Sequence, residues 1–129
     1  MGELLGDSGF VSTATRPMNL VIGAKRKGIP YAFNDPIRET DSASLDSLEG
    51  AELLAILRDG EDVLHRVVRE RDVAAVLDYV RSLAEPINRF VDNTMVMAED
   101  EKTRYARLSL MHATSLQLLS AGDFTKLEG

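Results

Sequence analysis

The sequence predicts an all-α protein, an up-and-down bundle of about four helices with mostly short connections and one long loop. Three observations carry this reading. Apolar residues recur at three- and four-residue spacing in four stretches of the chain. No segment keeps the two-residue alternation of a strand. The densest run of glycine, proline and asparagine falls between the first two stretches and opens a long connection. At 129 residues the chain fits one domain, able to bury roughly two thirds of its unfolded surface without metals or cross-links. The absence of cysteine excludes a disulfide scaffold, thiol catalysis and cysteine zinc sites. No apolar run approaches the roughly 18 residues of a membrane span, and the start has neither a basic n-region nor a signal-length apolar stretch.

Residues 1–9 hold three glycines and read as a loose lead-in; residues 10–127 form the helical domain. In the first helix Val11, Ala14, Met18, Val21 and Ile22 make one stripe, and Arg16, Asn19, Gly23 and Arg26 lie on another face. Pro17 either marks a helix start near Arg16 or kinks a longer helix, because an internal proline removes a hydrogen bond and costs about 3 kcal/mol. Gly28, Pro30, Asn34, Asp35 and Pro36 close this helix and open a connection to about Leu45, long enough to be the segment most open to movement.

The second helix runs from about Ser47 to Arg71, with Leu53, Ile56, Leu57, Val63, Leu64 and Val67 as its stripe and Gly60 as a weak point. The third begins near Asp72 and carries the longest clean stripe, from Val73 through Val76, Val80, Leu83 and Ile87 to Phe90 and Val91. Asp78, Arg81, Glu85, Arg89 and Asp92 face the other way. Pro86 should kink this helix or begin a new segment. The fourth starts near Asp100, where Glu99, Asp100 and Glu101 meet the positive end of the helix dipole. Leu108, Met111, Ser115, Leu118 and Leu119 form its inner stripe, and Gly122 ends it.

Catalytic signals are poor. His65 and His112 lack the spacing of a helical zinc site and read as surface or partly buried side chains. Gly23–Gly28 lacks the preceding strand and the Lys-Ser/Thr ending of a phosphate loop, and no nucleophile elbow occurs. The acidic triplet points in three directions about 100° apart on a helix, which suits a solvated helix start better than a cation site.

The formal charge is −6, against the basic balance of most nucleic-acid binders. Its distribution is uneven. Residues 1–64 carry 6 basic and 11 acidic groups, and residues 65–129 carry 9 and 10. Basic residues gather at Lys25-Arg26-Lys27 and at Lys102, Arg104 and Arg107, with Tyr105 between. Charges are screened over about 8 Å at physiological salt, so an acidic total is compatible with a basic face.

One segment is more specific than its composition. Phe90-Val91-Asp92-Asn93-Thr94-Met95-Val96-Met97-Ala98-Glu99-Asp100-Glu101, followed by Arg104, Arg107-Leu108 and Leu110, resembles the closing motif of the bacterial glycyl-tRNA synthetase beta subunit. The ending Gly122-Asp123-Phe124-Thr125-Lys126-Leu127 is similar to that family's Ala-Asp-Phe-Ser-Lys-Leu. Ser82–Ile87 resembles its Leu-x-x-Pro-Val run, and Arg16-Pro17-Met18-Asn19-Leu20, more faintly, its Arg-Val-x-Asn-Ile helix. Val91, Thr94 and Ala106 depart from the family's Phe, Val and Asn.

The resemblance implies an anticodon-binding domain of the helical type named for its Asp-Ala-Leu-Arg signature. It implies a module that positions glycine tRNA for aminoacylation catalysed elsewhere in an ATP-dependent, cytoplasmic glycine–tRNA ligase of two alpha and two beta subunits. On that view this chain is an isolated domain with no catalytic residue, metal or cofactor of its own. Its partners are glycine tRNA, the rest of the beta subunit and the alpha subunit, and no membrane. A helical protein–protein docking module, using Leu4, Leu5 and Phe10, is the alternative.

Proteins read unstacked loop bases by stacking and by hydrogen bonds to base edges, while Arg and Lys serve the phosphates. The tRNA-binding candidates are Arg16, Asn19, Lys25, Arg26 and Lys27 on the first helix, then Arg89, Asn93, Arg104 and Tyr105 near the motif. Phe90, Met95 and Met97 read as core, and Asp92 as a cap or a partner of Arg107.

Overall fold

A computed structural model describes the backbone of residues 8–32 and 34–128 and the side chains of residues 15–32 and 34–119. The described residues form helices and no strand: α1 (Ser8–Arg26), α2 (Pro36–Glu39), α3 (Ser42–Leu45), α4 (Leu48–Arg69), α5 (Val73–Ser82), α6 (Ala84–Asn93) and α7 (Glu101–Glu128). The expected stripe residues Val11 and Ala14, and the docking residues Leu4, Leu5 and Phe10, lie outside the described side chains.

Local signals set most boundaries. Ser47, Asp72 and Asp100 each accept a hydrogen bond from a backbone N–H three residues on, Gly50 at 3.0 Å, Ala75 at 3.1 Å and Thr103 at 2.9 Å. Each satisfies a donor that the first helical turn leaves open. α1 runs unbroken through the buried Pro17 from Ser8, two residues before the expected start. α4 stops at Arg69, short of Arg71. Arg71 turns left-handed at φ 58°, and Arg71 N–H and Asp72 N–H return to Val68 O and Val67 O, both at 3.0 Å.

The third expected helix divides at Leu83, not at Pro86. Pro86 stands third in α6, where no intrahelical donor is required of it. α7 passes through Gly122, which therefore does not end it. A helical glycine costs about 1 kcal/mol relative to alanine, and this helix accommodates it.

α7 is the axis of the molecule, packed against α1 through α5. Ala106, Leu108, Leu110, Met111, Ala113 and Leu118 are all buried along it. So are Ser109, Thr114 and Ser115, whose hydroxyls donate to carbonyls four residues back at 2.7–2.9 Å. Those bonds let polar residues sit in an apolar core. Leu53, Leu57, Val76, Val80, Leu83, Ile87 and Phe90 complete the core as their spacing predicts. Four expectations fail: Ile22, Val63, Leu119 and Met95 are 48%, 39%, 48% and 71% exposed. Val63 and Leu119 lie at the edges of their stripes, and Met95 follows the end of α6 and has left the helical register.

The two glycines of α4 admit aromatic side chains. A Cβ on Gly50 would lie 2.9 Å from the Phe90 ring, and one on Gly60 would lie 2.2 Å from the Tyr79 hydroxyl. Tyr79 there donates to Gln117 Oε1, and Gln117 Nε2 donates to Leu57 O at 3.0 Å. Burial pushes the Tyr79 hydroxyl up to about 12. Gly60 is thus a packing requirement, not merely a weak point.

The long connection is anchored rather than loose. Ala32 N–H donates to Ser109 Oγ at 2.7 Å, Arg58 donates to Ile37 O and Thr40 O at 3.1 and 2.8 Å, and Leu45 is fully buried.

Candidate nucleic-acid interface

The cationic run Lys25-Arg26-Lys27 closes α1, and its backbone is fixed by the turn that follows. Gly28 adopts φ 69°, Gly28 N–H returns to Lys25 O at 3.2 Å, and Ile29 N–H to Ala24 O at 2.9 Å. This double return is the Schellman arrangement, which favours glycine because only glycine enters the left-handed region without strain. Three cations at a helix C-terminus also meet the negative end of the dipole. All three are exposed and make no ion pair among the described residues.

The turn directs the chain onto the start of α7. Pro30 joins Glu101, Lys102, Arg104 and Tyr105 in lining a hollow of 420 Å³. Just beyond it the Tyr31 and His112 rings lie 5.2 Å apart, with Ala32 bonded to Ser109. The two basic groups that are separate in sequence therefore share one end of the molecule. Lys102 is exposed, Tyr105 is 39% exposed, and Arg104 Nη1 is held by Ala98 O at 3.3 Å. Asp100 and Asp41 border Lys102. Hydrogen bonds from Thr103 hold the Asp100 carboxyl below its ordinary value, and Ser44 and Ala43 do the same for Asp41.

Pro30, Glu101 and Lys102 were not among the predicted binding residues. Lys102 was legible as part of a basic group, three residues before Tyr105 and thus on its helix face. Pro30 is brought there only by the fold.

The remaining candidates occupy a second cluster, about 15 Å along α1 from Arg26 by helical rise, and most of them are engaged there. Arg16 donates to Asn88 Oδ1 at 2.9 Å and to Asp92 Oδ1 at 2.6 Å. Arg89 pairs with Glu52 at 3.1 Å and with Glu85 at 3.0 Å. Asn93 Nδ2 donates to Arg89 O at 2.8 Å. Asn19 is exposed on α1.

The expected pairing of Asp92 with Arg107 is not formed. Asp92 takes Arg16 instead, and Arg107 donates to three carbonyls, Met95 O at 2.7 Å, Leu45 O at 2.8 Å and Asp46 O at 3.0 Å. A guanidinium has five donors in a fixed fork and can tie two loops together in this way. Phe90 is fully buried, as its place in the motif suggests.

Among the described residues no group of three His, Cys, Asp or Glu could hold a metal ion. No described helix is long and apolar enough to cross a membrane.

Residues 31–126 match the model of the DALR anticodon binding domain. The chain is similar to glycine–tRNA ligase beta subunits from several bacteria. That of Geotalea uraniireducens is 35% identical over 89 residues, covering 60% of this chain and 13% of the relative. That of Anaeromyxobacter sp. strain K is 35% identical over 107 residues, covering 83% and 14%. That of Cereibacter sphaeroides is 28% identical over 117 residues, covering 88% and 16%. The chain thus spans only a small fraction of the length of these relatives. No solved structure matches it.

Proposed function

Because the chain belongs to the DALR anticodon-binding domain family, we propose that it holds the anticodon loop of glycine tRNA on the end where α1 closes and α7 begins. One observation supports the placement: Lys25, Arg26 and Lys27 are exposed with no ion pair among the described residues, and Pro30, three residues after Lys27, lines the hollow with Lys102, Arg104 and Tyr105. Cations without protein partners are available to phosphates, and an exposed phenol offers a face on which an unstacked base can lie. The domain would position the tRNA while ATP-dependent aminoacylation takes place elsewhere in a cytoplasmic glycine–tRNA ligase. The rest of a beta subunit and an alpha subunit are its partners on this reading, with no cofactor in this chain.

Labelled glycine tRNA should bind with micromolar or weaker affinity, and log K should fall linearly with log salt. Arg26→Ala with Lys27→Ala should weaken binding about tenfold and flatten the salt slope, leaving helix content unchanged. Unchanged binding in the double variant would remove the interface from this end. No binding at low salt, together with tight capture by an alpha subunit, would replace the RNA reading with a docking one.

A further inference from the structure

The hollow beside Tyr105 contains one group of the wrong sign for phosphate. Glu101 lines it together with Lys102, Arg104, Tyr105 and Pro30, and Glu101 makes no ion pair among the described residues. Glu101 and Tyr105 are one helical turn apart and share a face, about 6 Å along the axis. Resting on the RNA reading above, we propose that Glu101 is a specificity-determining residue. It makes this hollow a pocket for a base that carries an exocyclic amine, stacked on Tyr105.

The argument is one of sign and reach. An ionised carboxylate only accepts hydrogen bonds, and it repels phosphate oxygens. A ring stacked on the Tyr105 phenol has its edge within a turn of Glu101. Guanine, cytosine and adenine present an amine there. Uracil presents one imide N–H between two carbonyl oxygens, which a carboxylate opposes. Phosphates are left to Lys25, Arg26 and Lys27, which no acid among the described residues pairs with. Lys102 and Arg104 complement the acceptor atoms that flank a base amine. A volume of 420 Å³ lies within the range of ligand-sized clefts.

The test uses the whole chain and hairpin RNAs with one common stem. Their loops contain uridine alone, or uridine with a single guanine, cytosine or adenine. The amine-bearing loops should bind about fivefold more tightly than the uridine loop, the lower end of what a good edge contact contributes. Glu101→Gln, whose amide both donates and accepts, should collapse that ratio towards one by raising affinity for the uridine loop. Glu101→Asp should keep the charge and reduce the ratio, because the carboxylate retreats by one methylene. A ratio near one in the unaltered chain, or one untouched by Glu101→Gln, overturns the assignment while leaving RNA binding in place. Failure of every hairpin to bind overturns the RNA reading itself.

Discussion

Two cationic regions of the molecule look alike in the sequence and differ in the fold. At the junction of α1 and α6, Arg16 and Arg89 are bound to Asp92, Asn88, Glu52 and Glu85. At the closing turn of α1, Lys25, Arg26 and Lys27 make no ion pair among the described residues, and at the opening turn of α7 Lys102 is exposed with Asp100 and Asp41 beside it. The first region spends its charge on joining helices. The second keeps its charge available. In an acidic chain the number of basic residues therefore says less about the charge a surface offers than the number left unpaired after folding.

The comparison can be broken most forcefully at Arg107, which also serves the fold. Arg107→Ala removes three charge-assisted bonds to carbonyls and frees the loops at Leu45–Asp46 and Met95, so stability should fall by about 3 kcal/mol. Urea denaturation followed by circular dichroism measures this. A loss near zero would mean that the three bonds are exchanged for water without cost.

Arg16→Ala should have a smaller effect, about 1 kcal/mol of stability, because its ion pair is partly open to solvent. Its affinity for tRNA should stay within about twofold of the unaltered chain, the reverse of the Arg26 and Lys27 pattern. A large loss of affinity with unchanged stability would move Arg16 into the RNA face.

The smallest effect is a pH dependence at the start of α7. Asp100 has its carboxyl held below the ordinary 3.8 by bonds from Thr103. A depressed carboxyl contributes stability that is present above its unfolded value and is lost as pH falls through the folded one. Asp100→Asn should therefore flatten the decline in stability below about pH 4, read as melting temperature against pH. An identical acid limb in the variant would show that this cap is not what titrates.

Much of the fold was legible because its causes are local. The stripes of α4, α5 and α6 follow from spacing, and the helix starts after Ser47, Asp72 and Asp100 from a side-chain oxygen that accepts from the first turn. What spacing does not contain is how one element limits another. Pro86 looked like the break and stands within a first turn, while Gly60 looked like a flaw and makes room for Tyr79. The connection at 28–45 looked loose because its anchors, Ser109, Arg58 and Arg107, lie elsewhere in the chain.

The sequence by itself determined an all-helical domain, the core face of its longest helices, the basic groups and the resemblance to an anticodon-binding family. Periodicity, capping and motif are properties of neighbours along the chain. Only the tertiary structure decided which of the described cations are tied to acids. Arg16 meets an acid 76 residues away, and Pro30 meets the first turn of α7 through a glycine-closed helix end. A charge is satisfied by whatever lies within a few ångströms in space, and that distance is fixed by packing around α7.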